Sequence, residues 1–259
     1  MKVGEIEITP MSDGFVRLPP EYFRNADWSV HRDLLGPDGN LEIPVGTFLV
    51  RTGALTVLID AGLGPVDAGF MKGGDLPGRL EEAGTSPSEI DLVVCTHLHV
   101  DHVGWLAQDG APFFKNATVR FGAADWDHFV ENNAASEAVR DKMEVLKEAG
   151  RIEVIESDST VAPGIDTLQA PGHTPGHLCL VVASGEERAF LLGDAVTCPI
   201  QLEEPEWEAI SDVDASLASR TRESLWRELE TSGNVAVAAH FPGLQFGRVM
   251  AGKGRRYFS

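Results

Sequence analysis

Within six consecutive residues, His97-Leu98-His99-Val100-Asp101-His102, the chain places three imidazoles and a carboxylate. Neutral imidazole nitrogen and carboxylate oxygen, with no thiolate among them, are the donor types that suit zinc best and also accept iron, manganese or cobalt. The apolar run Leu92-Val93-Val94-Cys95 just before them is continuous and too short for a helix, so it reads as a buried strand. The candidate ligands therefore follow the C-terminal end of a strand, where open α/β architectures place their chemistry. His97 and His99 are two apart and leave an extended segment on the same side, whereas the adjacent Asp101 and His102 diverge. One pair can hold one ion while the other reaches a second. Further donors come later in the chain: His173 in the turn-rich Gly172-His173-Thr174-Pro175-Gly176-His177, Asp194 after Leu191-Leu192-Gly193, and His240 after Ala238-Ala239. Five of the eight histidines thus fall in one pattern.

The order HxHxDH, then His, then Asp, then His resembles the metallo-β-lactamase-fold hydrolases over most of the chain, roughly Val45 to Val249. That resemblance implies a single domain over residues 1–259 with an αββα sandwich: two facing mixed β-sheets, helices on the outer faces and a dinuclear site at one edge. It further implies that His97, His99 and His173 hold one divalent ion, that Asp101, His102 and His240 hold the other, and that Asp194 bridges them. Asp60, in Asp60-Ala61-Gly62, is expected to support the ligand loop, and His177 to hydrogen-bond within its own loop. The diiron flavoproteins of the fold carry Glu where this chain has His99, and many true β-lactamases carry Cys where it has Asp194. Quorum-quenching acyl-homoserine-lactone lactonases resemble it across all seven ligand positions. They place a substrate-contacting Tyr three residues after the bridging Asp, where this chain has Thr197. Organophosphate hydrolases of the methyl parathion type share the ligand set without depending on that Tyr.

Composition narrows the partners. Forty acidic and 21 basic residues give a net charge of -19, a surface that repels phosphate backbones. Nucleic acid is not expected as a partner, which counts against the RNA-processing nucleases of this fold. Cys95, Cys179 and Cys198 are widely spaced with no CxxC, which suits packing roles in a reducing cytoplasm. The N-terminal Lys2–Ile8 alternates like a strand and lacks the apolar core of a signal peptide. No apolar stretch approaches the ~20 residues that cross a bilayer, so no membrane association is expected.

The remaining elements must position these groups. Strands are expected over 3–9, 14–18, 45–51, 56–60, 118–121, 152–155, 165–170, 178–183, 189–192 and 235–239. Helices are expected over 76–83, 123–130, 134–149 and 214–231, with Gly150 and Asp214 as caps. Residues 19–44 form an irregular, aromatic-bearing stretch, expected to be a lid over the metals or a contact in a homodimer. Residues 199–214 are expected to be a polar loop. Trp105 and Phe241 adjoin ligand segments and are expected in the substrate pocket, with Thr197, Phe48, Phe23 and Trp28 as further substrate-binding candidates and Trp207 as an additional aromatic. His31 and His128 fall outside the pattern; His31 is expected at the surface or in the lid, and His128 at the surface or in packing.

The expected activity is hydrolysis of a small ester-like substrate, a lactone first, by attack of a metal-bridging hydroxide on the acyl carbon, with Asp101 orienting the nucleophile and carrying a proton. Aryl esters or organophosphate triesters are the alternative substrates. A mononuclear iron persulfide dioxygenase shares part of the motif and stands as a different class of reaction.

Overall fold

The computed structural model describes residues 1–252 and 255–259. Two mixed sheets face each other, and in each the strands lie side by side in chain order. The first runs Lys2–Val3, Ile6–Leu18, Leu41–Arg51, Thr56–Ile59, Leu92–Val94, Thr118–Gly122, Ile152–Ile155. The second runs Thr160–Ala162, Ile165–Gln169, Leu178–Ser184, Glu187–Leu191, Val235–Val237, Gly247–Gly252, Arg255–Phe258. Side-chain alternation explains the layering. Phe48, Val50, Val57, Ile59, Leu92 and Val94 join Leu178, Leu180, Val182 and Leu191 in the core between the sheets. The residues between them, Leu49, Leu58 and Val93, point the other way and pack with Leu80, Met143 and Leu146 of the helices Leu76–Glu82 and Glu137–Glu148. Helix Ala215–Ser232 starts where the Asp214 side chain accepts from the Leu217 N–H and ends at left-handed Gly233.

Three expectations change. The strands expected over 3–9 and 14–18 are largely one strand, Ile6–Leu18, whose register with Leu41–Arg51 slips between Ser12 and Gly14. That bulge lets Asp13 sit fully buried, so the Gly14 that suggested a break marks a kink. The helix expected over 123–130 is a short turn, Ala123–Asp125, that widens into a π-turn over Trp126–Glu131. The loop expected over 199–214 contains helix Ile200–Glu203 and strand Glu208–Ala209, which pairs antiparallel with Phe23–Arg24. The stretch 19–40 is therefore anchored: Phe23, Trp28 and Trp207 stack with centroids 4.8–6.3 Å apart, and His31 Nε2 meets Glu204 Oε1 at 2.9 Å. Among the described residues, no helix is long and apolar enough to cross a membrane.

Candidate metal centre

The seven residues singled out by spacing meet at one end of the sandwich. His97–His102 follows strand Leu92–Val94, with Val100–Val103 forming a single helical turn. His173 comes from the turn before Leu178–Ser184, Asp194 from beyond Glu187–Leu191, and His240 from beyond Val235–Val237. His99 Nδ1 lies 3.0 Å from both His97 Nε2 and His173 Nε2. His240 Nε2 lies 3.4 Å from Asp101 Oδ2 and 3.2 Å from Asp194 Oδ2. Asp194 Oδ1 faces His102 Nε2 at 3.4 Å, and its Oδ2 faces His173 Nε2 at 3.6 Å. The donor atoms group as His97/His99/His173, as Asp101/His102/His240 and as His97/His102/Asp194, each within 4.8 Å.

Four of the five imidazoles, those of His97, His102, His173 and His240, are held from behind through their other nitrogen, the arrangement that orients metal-binding histidines. His102 Nδ1 meets Asp60 Oδ2 at 2.9 Å, and His173 Nδ1 meets Asp212 Oδ1 at 2.9 Å. His240 Nδ1 donates to the Pro44 carbonyl at 2.7 Å, and His97 Nδ1 lies 3.1 Å from Thr96 Oγ1. Asp60, in a left-handed conformation at φ 61°, also accepts from the Thr96 N–H, so it holds the first ligand segment at two points. The edge of Phe129, from the π-turn, packs on the His99 ring at 5.3 Å.

Two more buried carboxylates tie loops together. Asp125 accepts from the Leu98 N–H, the Thr174 hydroxyl and the Gly176 N–H, joining the loop of His97 and His99 to that of His173. Gly122 packs so closely on the Gly176 carbonyl that a Cβ has no room there. Asp13 accepts from the Leu63, Gly64, Gly74 and Leu76 N–H groups and from the Trp105 indole.

The electrostatics fit a cation. Burial, reinforced by neighbouring imidazoles, pushes His97 well down and His99 down to about 3, so both are neutral. The nitrogens His97 Nε2, His99 Nδ1 and His173 Nε2 converge on one point, an arrangement that suits a bound cation. Burial opposes protonation of His102, but Asp60, Asp194 and Asp101 outweigh it and hold that group up to about 10. His240 is raised the same way, chiefly by Asp194. His102 Nε2 and Asp194 Oδ1 are buried with no hydrogen-bond partner among the described residues. Two buried atoms without partners, facing each other at 3.4 Å, fit coordination of a divalent ion.

A cavity of about 310 Å³ opens over this cluster and reaches His99, Asp101, His173, Asp194 and His240. Its walls are mostly apolar: Val16, Leu18, Ile43, Leu63, Met71 and, at the rim, Phe70, which is 56% exposed. Tyr22 and Ser211 supply the other polar surface. The six residues expected to bind substrate lie elsewhere. Phe48 and Phe241 are buried between the sheets. Phe23 and Trp28 pack with Trp207 in a cluster that also holds Leu18 and Ile43 of the cavity wall, but they are not themselves part of its lining. Trp105 is drawn inward by Asp13 and borders a separate cavity with Phe113. Thr197 is 1% exposed, with its backbone N–H on Gln201, so the position three residues after Asp194 does not reach the cavity. Trp105, Thr197 and Phe241 follow their neighbouring candidate ligands in turns outside the strands, and those turns carry the side chains into the interior. His177 reaches beyond its loop, its Nε2 accepting from the Asp194 N–H. His128 packs against Phe129, away from the cluster.

Comparison with known proteins agrees with this geometry. The metallo-beta-lactamase superfamily domain matches residues 42–240. The chain belongs to that superfamily. It is a hydrolase of this family, with candidate metal-binding groups of His and Asp. An N-acyl homoserine lactonase from a Bacillus species is 29% identical over 187 residues, 64% of this chain and 69% of that protein. The N-acyl homoserine lactonase AiiB of Agrobacterium fabrum is 27% identical over 172 residues, 59% of this chain and 62% of that protein. In three dimensions, the hydrolase AbOPH of the beta lactamase superfamily superposes with a TM-score of 0.90 at 22% identity, over 100% of this chain and 95% of the other. The dizinc quorum-quenching lactonase AidC, solved with the product N-hexanoyl-L-homoserine, superposes with a TM-score of 0.89 at 21% identity, over the same shares. Both likenesses extend the fold beyond the matched domain to the N-terminal strands.

Asp125, Asp212, Asp13, Tyr22 and Ser211 carry no motif. The available cues are weak: an acid shortly after the strand-ending Gly122, another two residues before the helix cap Asp214, and one beside the glycine of a bulge.

Proposed function

We propose that this protein is a dinuclear metal-dependent lactonase acting on small, uncharged lactones of the acyl-homoserine-lactone type. The whole chain would act as one hydrolase domain. His97, His99 and His173 would hold one ion and Asp101, His102 and His240 the other, with Asp194 shared between them and zinc preferred by the all-N/O donor set. The observation that carries this reading is the placement of a mostly apolar cavity directly over a complete set of seven converging donors. The lactonase names of the curated relatives support the substrate class.

Divalent ions held there would supply Lewis acidity and hydroxide near neutral pH. The chain's own groups do the rest. Asp60 and Asp212 keep His102 and His173 turned inward through their Nδ1 atoms. The apolar walls favour an uncharged substrate and exclude competing water. Asp101, whose side chain is 18% exposed, fronts the cavity and is placed to orient the nucleophile and return a proton to the leaving oxygen. The three free cysteines are all buried, which accords with a reducing cytoplasm. Thr197 lies outside the cavity, so a contact from that position is missing, and aryl esters or phosphotriesters remain the second substrate class.

The test is metal analysis followed by a hydrolysis panel on zinc- and manganese-loaded protein, covering homoserine lactones of several chain lengths, aryl esters and aryl phosphate triesters. About two metal equivalents per chain and the highest kcat/KM on lactones are expected. Hydrolysis of thioesters alone would overturn the lactone assignment, and one iron per chain with oxygen uptake would move the protein to the dioxygenase class.

A further inference from the structure

Beyond the metal-binding cluster, the side chains lining the cavity are hydrocarbon or thioether with two exceptions, the hydroxyls of Tyr22 and Ser211. These lie 2.6 Å apart. Neither makes another hydrogen bond among the described residues. A hydroxyl pair holds two protons, and the contact between the oxygens uses one. The second is free to point into the cavity, where the side chains beyond the metal-binding cluster offer no acceptor. Burial and the nearby carboxylates Asp194, Asp101 and Asp212 push the Tyr22 phenol well up, so it stays a neutral donor throughout the working pH range.

The pair is also held in place. Tyr22 ends the turn Pro20–Tyr22, and its carbonyl accepts from the Ile210 N–H at 2.9 Å. The next residue, Phe23, pairs with Ala209 in the small sheet that fastens the N-terminal stretch to 208–209, and its ring meets Tyr22 edge-on at 5.1 Å. Ser211 adjoins Asp212, which orients His173. A single clamp thus sets the hydroxyls relative to the ligand histidines.

We propose that the Tyr22–Ser211 pair is a substrate-oxygen site that donates one O–H to the acyl or phosphoryl oxygen of the substrate. This rests on the hydrolase reading above and adds a specific contact to it. Charge grows on that oxygen as the nucleophile adds, and a donor fixed beforehand in a dry, apolar cavity stabilises it more than bulk water does. In such a cavity, an acceptor oxygen left without a partner would be costly, so the pair also selects where the substrate's polar end can lie.

The test uses metal-loaded wild type, Tyr22→Phe and Ser211→Ala with two substrate pairs. One pair is an aryl phosphate triester and its P=S analogue. The other is an alkyl-substituted γ-lactam and its thiolactam, which report binding by calorimetry without turnover. Sulfur is a poor hydrogen-bond acceptor, so only the oxygen members should sense the variants. Tyr22→Phe should lower kcat/KM on the P=O ester about 100-fold, and Ser211→Ala about tenfold, with changes within about threefold on the P=S ester. Lactam affinity should fall about tenfold in Tyr22→Phe and thiolactam affinity should hold. Metal content and melting temperature should match wild type; if Tyr22→Phe fails to fold, Ser211→Ala carries the comparison. Equal losses on oxygen and sulfur members, or none on either, overturn the proposal. Wild-type protein that binds the lactam through this pair yet hydrolyses no ester would sink the hydrolase reading and leave the oxygen site standing.

Discussion

At the scale of the residue, four imidazoles of the site, those of His97, His102, His173 and His240, are each held by two opposed demands. His102 illustrates them: its Nδ1 is fixed by Asp60, while its Nε2 has no partner and faces Asp194. Without a cation, the surrounding carboxylates keep a proton on this ring up to about 10. The raised pKa means that the metal-free ring is protonated at pH 8, and a bound metal requires it neutral. Metal uptake must therefore release that proton, and apparent affinity must weaken as pH falls. Adding zinc to metal-free protein at pH 8 should release about one proton per chain from this group, read by calorimetry in buffers of differing ionisation enthalpy. A heat that does not depend on the buffer would contradict this account.

At the scale of the element, Asp125 shows how the two halves are brought to one point. It begins no ligand motif, yet its two oxygens accept from both ligand loops, and the contact of Gly122 with Gly176 leaves no slack between them. Asp125→Asn keeps the shape but turns an N–H₂ toward groups that themselves donate. The His97/His99/His173 group should loosen while His102 and His240 remain tied through Asp60 and Pro44. Bound metal should fall from about two equivalents to about one after gel filtration, with turnover reduced on the order of 10- to 100-fold. Full metal content in this variant would show that the clamp is dispensable.

At the scale of the whole molecule, the charge of -19 surrounds an active cavity that is itself mostly apolar. Such a field repels anions at a distance and leaves neutral molecules alone. For a carboxylate-bearing ester, kcat/KM should rise a few-fold between about 10 mM and 150 mM salt, as the Debye length shrinks from about 30 to 8 Å. For a neutral lactone it should stay flat. A parallel salt response for both would place the effect at the metals instead of in the long-range field.

The candidate metal-binding groups were legible in the sequence because ligation demands particular side chains at the ends of strands, and His97, His99, Asp101 and His102 are of those types within one loop. The two sheets were legible as well, since runs such as Thr56–Ile59 and Leu92–Val94 show their burial directly. The cavity was not. Its walls come from Val16, Tyr22, Ile43, Phe70 and Ser211, which are far apart in the chain and ordinary in type. Trp105, Phe241 and Thr197, close in sequence to the candidate ligands, are buried outside the cavity lining, carried there by the turns in which they sit. Donor chemistry is a property of residue type and local spacing, so one dimension can carry it. Which surfaces face a cavity depends on how a bulge at Asp13 and a short strand at Phe23 pack against distant segments, and only the folded chain decides that.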